Sequence, residues 1–207
     1  MSRYTGPRAR VSRRLGTNIW GTKGETIALD KRPYPPGDHG RSRRRGSVSE
    51  YLLQLQEKQK ARFSYGLTER QFRNIFAEAS RRQGVTGENM LRYLELRLDN
   101  VIYRAGWGAT RPQSRQFVNH GHIKVNGKKV NIPSYRVAVG DVIEVKEKSR
   151  DLALVIEAVD SNEREQADYH DVDSKKRTGT FTRIPNLADV PYPVQMEPNL
   201  VVEYYSR

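Results

Sequence analysis

The sequence predicts an α+β protein: a cationic N-terminal arm, a helical domain, and a small inserted domain of two helices plus β-hairpins. Three observations predict this class. Basic residues concentrate near the N-terminus, helical apolar spacing with capping signals follows, and short alternating apolar segments with tight-turn residues come next. We expect an extended arm at 1–45, a helical domain at 46–95 completed by 161–207, and the inserted domain at 96–160.

Basic residues outnumber acidic ones, and the surplus is unevenly placed. The 207 residues include 37 Lys+Arg and 24 Asp+Glu, a net charge of +13, and only 36% are hydrophobic. Net charge is +9 over residues 1–45, +6 over 46–160 and −2 over 161–207. This distribution favours a polyanionic partner, because binding RNA releases counterions from its phosphates. We expect the arm to order on RNA rather than by itself. The alternative is surplus charge that serves solubility alone.

Signatures of enzymes and metal sites are largely missing. The absence of cysteine excludes a disulfide framework and thiolate metal sites. Gly106-Trp107-Gly108 begins like a dinucleotide-binding loop, but Arg111 stands where the third glycine belongs. The histidines, which are His39, His120, His122 and His170, lack metal-binding spacing with nearby carboxylates. We therefore expect no catalytic residue, no cofactor and no metal.

No apolar segment approaches the length of a membrane span, and the N-terminus has no apolar signal core. We expect a cytoplasmic protein with no membrane partner.

Capping signals and apolar spacing predict three helices after the arm. Ser47 with Glu50, and Thr68 with Gln71, have the spacing of capping boxes. The helix after Thr68 should end near Gly84. A third helix is predicted from about Glu88 to about Gly106, with an inward face of Leu91, Leu94, Leu98 and Val101.

Turn signals and alternation predict the inserted domain. Thr110 should cap a short helix that ends at Gly121, and Asn126-Gly127 is a strong hairpin signal between strands at Ile123–Val125 and Val130–Ile132. A further hairpin is expected, and its strands would be 137–139 and 143–145. Ser149 should cap a later helix, residues 161–180 read as loop, and 200–205 as a short strand.

Basic residues cluster where phosphate contact is expected. Arg111 and Arg115 lie one helical turn apart, so they share a face next to a helix start. Hairpin lysines could extend this face. The candidate RNA-binding residues from charge and placement are Arg41, Arg43, Arg44, Arg45, Arg97, Arg104, Arg111, Arg115, Lys124, Lys128, Lys129 and Arg136. The alternative is solvated surface charge.

The mildly acidic C-terminal region predicts a surface that faces protein, because phosphate would repel it. The candidate interface residues are Glu197, Glu203, Tyr204 and Tyr205, and tyrosine is enriched at interfaces. The alternative, that this segment closes the helical core, is compatible with contact on its other face.

The sequence closely resembles the family of bacterial small-subunit ribosomal protein number four, called here the S-four family. Motifs of the inserted domain carry much of the resemblance, among them Leu96-Arg97-Leu98-Asp99-Asn100-Val101, Ser114-Arg115-Gln116, His120-Gly121-His122-Ile123 and Val125-Asn126-Gly127-Lys128. Motifs elsewhere extend it to nearly the whole length, among them Arg3-Tyr4, Lys31-Arg32-Pro33-Tyr34-Pro35-Pro36-Gly37, Glu57-Lys58-Gln59-Lys60 and Glu203-Tyr204-Tyr205-Ser206-Arg207. On this resemblance Arg3, Lys58, His120 and His122 join the RNA-binding candidates. The two histidines alone are more typical of a polar helix exit.

The resemblance implies an S-four-type RNA-binding fold and a structural protein of the small ribosomal subunit. It implies primary binding to the five-prime domain of 16S rRNA, nucleation of assembly, and an influence on translational accuracy. The implied neighbours are ribosomal protein number five, ribosomal protein number three as a further candidate, and mRNA near its entrance to the ribosome.

The sequence departs from the S-four family at a few positions. Many members carry four zinc-binding cysteines in the arm, but here Ala9 and Ser12 occupy the slots of the first pair and the second pair is absent. Gly108 replaces a more usual alanine, and Tyr169-His170 stands where tryptophan is common. We therefore expect a form without zinc.

Two further functions stay open on the sequence alone. One is translational repression of the protein's own mRNA. The other is an RNA-modifying enzyme that uses the same fold as a tether, for which a catalytic domain would need well over about 100 further residues. A plastid relative is also compatible with the sequence.

Overall fold

The computed structural model describes residues 4–42, 48–160 and 167–207. The described residues form two compact units. Unit 1 comprises the chain up to Gly87 together with Tyr192–Arg207, and unit 2 comprises Glu88–Pro191. Unit 2 spans 104 residues, whereas the inserted domain was expected at 96–160, which is 65 residues.

The N-terminal region contains two helices, α1 (Arg8–Leu15) and α2 (Lys23–Lys31), so the arm is not extended throughout. Gly16 ends α1 in the left-handed conformation, with φ of 72°. Arg13 joins the two helices to the segment that follows, because its Nε lies 3.2 Å from the carbonyl oxygen of Arg32 and 3.1 Å from that of Tyr34. Ile19 is fully buried. The region therefore has a small core and hydrogen bonds of its own, which its composition concealed.

Helices α3 (Glu50–Ser64) and α4 (Glu69–Ser80) follow in unit 1. The N-cap of α3 is Ser49, whose Oγ accepts from the Leu52 amide at 3.3 Å, whereas the predicted cap, Ser47, lies outside the described residues. The predicted capping box of Thr68 and Gln71 is confirmed, since both of its hydrogen bonds are formed at 3.3 Å.

The C-terminal segment is a helix, α10 (Pro198–Ser206), that packs on α3. The predicted strand at 200–205 is therefore wrong. Pro198 stands in the first turn of the helix, where a missing backbone N–H costs nothing. Val201 is buried, so the segment does contribute to the helical core.

Unit 2 begins with α5 (Thr86–Glu95, which starts two residues before the boundary), α6 (Leu98–Arg104) and α7 (Arg111–Asn119). The predicted single helix from Glu88 to Gly106 is broken at Arg97, which has extended dihedrals and forms an isolated bridge with Arg136. The Leu98 amide donates to the Tyr135 carbonyl at 2.8 Å, and this cross-link takes the place of helical hydrogen bonds. The predicted helix capped by Thr110 is confirmed as α7.

A single antiparallel sheet completes unit 2, with strand order β2-β1-β3-β5-β4. Its strands are β1 (Ile123–Val125), β2 (Lys128–Lys129), β3 (Val142–Val145), β4 (His170–Asp173) and β5 (Thr178–Phe181). Asn126 and Gly127 both have positive φ, as the predicted tight turn requires. Ile123 pairs with Val145 in the register of β1 and β3, and both side chains face the core.

Four predictions about this region are wrong. The return strand predicted at Val130–Ile132 is replaced by β2 (Lys128–Lys129), which lies earlier in the chain. Residues 137–139 form no strand, because their segment is tied to Leu96 instead, with Val137 donating to the Leu96 carbonyl at 2.9 Å. Residues 170–181 form a hairpin rather than loop. Ser149 lies within a short helix, α8 (Glu147–Arg150), rather than capping α9 (Ala153–Asp160).

The core of unit 2 lies between the helices and the inner face of the sheet. Its largest fully buried side chains are those of Trp107, Tyr169, Phe181, Leu98, Ile102, Ile123 and Ile143. Within residues 4–42, 48–160 and 167–207, no helix is both long and apolar enough to cross a membrane.

Candidate nucleic-acid interface

In the turn between α6 and α7, the backbone of Gly108 lies close to the side chain of Ser114 on α7. A Cβ placed on Gly108 would lie 2.3 Å from the Oγ of Ser114, so only glycine fits here without movement. The Thr110 Oγ accepts from the Gln113 amide at 3.3 Å, and the Gln113 side chain accepts from the Ala109 amide at 2.7 Å. These bonds cap the start of α7.

Asp99 pairs with two of the arginines predicted to bind RNA. Arg97 approaches it with two nitrogens, Nε at 3.0 Å and Nη2 at 2.9 Å, and both side chains are nearly buried, at 6% and 7% exposed. Arg115 reaches the same carboxylate with its Nε at 3.0 Å, while 19% of its side chain stays exposed. Asp99 therefore joins the start of α6 to the middle of α7.

Glu95 is fully buried and accepts hydrogen bonds from three side chains. Arg104 forms a fork with it at 3.0 and 3.1 Å, Asn100 donates at 2.8 Å, and the Tyr169 hydroxyl donates at 2.8 Å. Arg104 also donates to the Pro191 carbonyl at 2.9 Å. A buried carboxylate is tolerated only with such partners. Arg104 is thus part of the interior.

Arg111 is also largely internal. Its Nε donates to the Asn100 Oδ1 at 2.9 Å, and its guanidinium lies 4.4 Å from the centre of the Tyr103 ring. Among the predicted RNA-binding residues Arg97, Arg104, Arg111 and Arg115, only Arg115 keeps appreciable exposure. Arg97 and Arg104 form buried ion pairs, and Arg111 adds a hydrogen bond to Asn100 beneath the surface.

The outer face of the sheet carries three lysines that lie near one another, Lys124, Lys129 and Lys146, which we call the lysine cluster. Lys124 is opposite Lys129 in the pairing of β1 with β2, and Lys146 directly follows β3. Burial and the charges of Lys129 and Lys124 lower the pKa of Lys146. Glu144 offsets part of this charge, with an oxygen 3.4 Å from the Lys124 ammonium. Lys128 is exposed at the neighbouring hairpin position.

The predicted histidines lie beside the lysine cluster. His122 stacks on Phe117 with ring centres 4.7 Å apart, and its Nδ1 is 2.8 Å from the Oγ of Ser149. Burial, then His120 and Lys146, lowers the pKa of His122, which favours the neutral ring. His120 is exposed at the C-cap of α7. His122 is thus a structural side chain at the edge of a basic surface.

The remaining predicted cations are dispersed. Arg136 is exposed and lies 4.2 Å above the ring of Tyr93, and Arg41 is exposed and lies 5.5 Å from the ring of Tyr34. Lys58 is buried, and its ammonium lies 2.9 Å from the Glu69 carboxylate. This ion pair joins α3 to α4. Four predicted arginines lie outside the described residues, namely Arg3, Arg43, Arg44 and Arg45.

A second candidate surface lies in unit 1, around the end of α10. Tyr205 stacks on Phe76 at 4.7 Å and donates its hydroxyl to Glu69 at 2.7 Å. Burial and this hydrogen bond raise the pKa of Tyr205 well above its usual range. Tyr204 lies beside Tyr51, with ring centres 5.7 Å apart. Together they line an open pocket of about 550 Å³.

The acidic candidates lie on α10 and at its start. Glu203 is exposed and accepts from the Gln54 side chain at 3.0 Å, and Glu197 is exposed at the N-cap. Tyr204 and Tyr205 are half-buried, so they serve the packing of α10 as well as lining its surface.

Sequence reasoning missed Lys146, which completes the lysine cluster. It was overlooked because it follows β3 in the chain and is distant from Lys124 and Lys129 in sequence. The sequence did hold a signal for its position, because β1 and β3 both alternate apolar and polar residues and can therefore pair. Their pairing brings Lys146 next to the start of β1. Among residues 4–42, 48–160 and 167–207, no group of three His, Asp or Glu side chains could hold a metal ion.

Comparison with known proteins covers the whole chain. Residues 3–95 match the family model of the ribosomal protein S4/S9 N-terminal domain, and residues 96–143 match that of the S4 domain. A Brucella ovis relative named small ribosomal subunit protein uS4 is 53% identical over 208 residues, with both chains covered in full. A Ruegeria pomeroyi relative of the same name is 55% identical over the same extent. The resemblance seen in the sequence is confirmed: the chain belongs to the family of small ribosomal subunit protein uS4.

Proposed function

We propose that this protein binds ribosomal RNA as a structural, non-catalytic constituent of the small ribosomal subunit in the bacterial cytoplasm. Its membership of the uS4 family supports this role, because the full-length relatives are named as proteins of that subunit. The net charge of +13 suits a partner made of phosphates.

The lysine cluster is the observation that carries the proposal. Lys124 and Lys129 are paired across the hairpin of β1 and β2, and Lys146 is brought beside them because its amide donates to the His122 carbonyl at 2.9 Å, so folding places three like charges together. Mutual repulsion of this kind costs free energy in the protein alone, and a phosphate placed among the lysines would relieve it. A cluster assembled by folding is better suited to structured RNA, which is recognised by shape and backbone, than to an unfolded tail.

The buried ion pairs have a supporting role in the proposal. Arg97 pairs with Asp99 on α6, Arg104 joins α6 to Glu95 on α5, and Arg111 joins α7 to Asn100 on α6, so these side chains hold the three helices together. Arg115 pairs with Asp99 yet stays partly exposed, and it remains a candidate phosphate contact. Rigid placement reduces the entropy lost when charged side chains bind.

The finer assignment is a primary binder of the five-prime domain of 16S rRNA that nucleates assembly. Cosedimentation tests it: the protein should stay with small subunits through a high-salt wash and should bind a transcript of the five-prime domain without other proteins. Release by the wash together with no binding to the transcript would contradict it. A transcript of another rRNA domain of equal length is the control.

The surface around α10 is the proposed site for ribosomal protein number five, with protein number three and mRNA as further neighbours. Exposed glutamates beside half-buried tyrosines suit a protein partner better than phosphate. Charge reversal at Glu197 and Glu203 should leave rRNA binding nearly intact and raise stop-codon readthrough. Glu157→Lys, an exposed position on α9, is the matched control. Loss of rRNA binding with normal readthrough would make α10 an RNA-binding or core element instead.

A further inference from the structure

The turn between β4 and β5 carries three consecutive basic residues, Lys175, Lys176 and Arg177, outside the residues matched by the S4 domain model. The two lysines are exposed, and the side chain of Lys176 is 78% exposed. The sequence predicts a loop here, and these three residues are not among its candidate RNA-binding residues.

The turn is held in one conformation by Asp173. One carboxylate oxygen of Asp173 accepts from the backbone amides of both Lys175 and Lys176 at 3.0 Å. The amide of Lys176, followed by that of Lys175, holds the pKa of Asp173 below its usual range despite an opposing effect of burial. Arg177 completes the turn with φ of 51°, and its carbonyl accepts from the Val145 amide at 3.0 Å. The lysines are therefore presented from a fixed backbone.

The register of the sheet places this turn at the same end as the lysine cluster. Glu144 pairs with Thr178, so continuing the antiparallel register puts Lys146 next to Lys176, two residues further along. Lys146 is joined on its other side to β1, where its amide donates to the His122 carbonyl at 2.9 Å. Neighbouring strands lie roughly 4.8 Å apart, so the row of basic residues along this end of the sheet, from β2 to β5, is about 14 Å long.

Acidic groups also face this end of the sheet. Asp173 is engaged by two amides and lies 3.9 Å from the Lys176 ammonium, and Glu144 is engaged by Lys124 at 3.4 Å and by Arg150 at 4.0 Å. Asp171 is exposed on β4, the edge strand, two residues before Asp173. The lysines of the turn point past these partners into solvent, as the exposure of Lys176 indicates.

We propose that Lys175 and Lys176 bind phosphates of the RNA backbone, so that the β4–β5 turn extends the surface of the lysine cluster across the sheet. The proposal rests on the proposed function and adds a contact element to it. Phosphate is favoured over a protein partner because the turn offers ammonium groups with no exposed large apolar side chain on either side of it.

The test is the salt dependence of binding between the full chain and a transcript of the five-prime rRNA domain. Neutralising one phosphate-binding lysine should reduce the log–log slope by about 0.7–0.9, so Lys175→Gln with Lys176→Gln should reduce it by about 1.4–1.8. If the two lysines contribute nothing to the affinity at 1 M salt, the same reduction in slope lowers the affinity for the transcript by about 14- to 30-fold at 0.15 M salt.

The charge-preserving variant, Lys175→Arg with Lys176→Arg, is the matched control and should bind like the original protein. A slope unchanged by the glutamine pair, with the original protein binding normally, would overturn the proposal and leave the proposed function intact. If the glutamine pair bound the transcript normally but entered small subunits poorly, the turn would contact protein, and the proposal would again be overturned. Absence of binding by the original protein would instead contradict the proposed function.

Discussion

Removal of the Asp99 carboxylate should destabilise unit 2 severely. Asp99→Ala leaves the guanidinium of Arg97, whose side chain is only 6% exposed, without the two charged hydrogen bonds that now offset its desolvation. Removing one partner of a buried pair costs about 3–5 kcal/mol. For a unit of about 100 residues, with an unfolding entropy of about 2.1 cal/mol/K per residue, this lowers Tm by about 14–24 °C.

Tryptophan fluorescence can follow unit 2 by itself. The sequence has two tryptophans, of which Trp107 is buried in unit 2 and Trp20 lies in unit 1, so a Trp20→Phe background isolates the transition of unit 2. Asp171→Ala removes an exposed carboxylate from the same unit and should change Tm by no more than a few degrees.

Replacing both partners sharpens the test. Arg97→Met with Asp99→Leu removes the buried charge and its counterion together, so it should be less destabilising than Asp99→Ala alone. A cost below about 1 kcal/mol for Asp99→Ala would refute the reasoning, because it would mean that water screens the pair. Arg115 loses its partner in both variants, so a double variant as unstable as the single variant would show that the buried charge of Arg97 does not set the cost.

Three further outcomes follow from single features of the structure. Gly108→Ala should change the free energy of unfolding by no more than about 1 kcal/mol in urea titrations, because the Ser114 Oγ that lies 2.3 Å from the added Cβ can rotate away and alanine restricts the unfolded chain. Burial lowers the pKa of His170 from 6.5 to about 4, so the unfolded chain takes up its proton first and stability falls as pH drops from about 6.5 towards 4. His170→Phe should flatten that fall, which in the original protein reaches up to about 3 kcal/mol in denaturant titrations at several pH values. Elemental analysis should find no stoichiometric zinc, because Ala9 and Ser12 supply no thiolate; one zinc per chain would overturn this.

Elements with local signals could be predicted from the sequence. The capping box of Thr68 and Gln71, the start of α7 at Thr110 and the Asn126-Gly127 turn each depend on residues within a few positions of one another. Such signals act through nearby backbone groups, so they persist whatever the tertiary context.

Elements that depend on distant partners were misassigned. The apolar run from Leu200 to Tyr205 resembles a strand, yet Pro198 and packing on α3 make it helical. The hairpin of β4 and β5 is polar because it lies at the edge of the sheet and its turn is formed by Asp173, so neither strand shows a long alternating pattern.

The sequence correctly predicted a basic surface, but it identified only some of the residues that form it. Charge identified a basic surface, but basic residues are equally needed in buried ion pairs, and one sequence does not distinguish Arg97 from Lys124 in this respect. The carboxylates Glu95 and Asp99, set among leucines, were the available sign that the nearby arginines have internal partners.

Salt-dependent binding of lysine-cluster variants to the five-prime rRNA transcript tests the central claim most directly. Replacing Lys124, Lys129 and Lys146 with glutamine should reduce the log–log salt slope by about 2.1–2.7, while replacing them with arginine should preserve it. Trp107 fluorescence verifies that unit 2 stays folded in both variants. A folded glutamine variant with the original slope and affinity would contradict the claim that this cluster binds RNA phosphates.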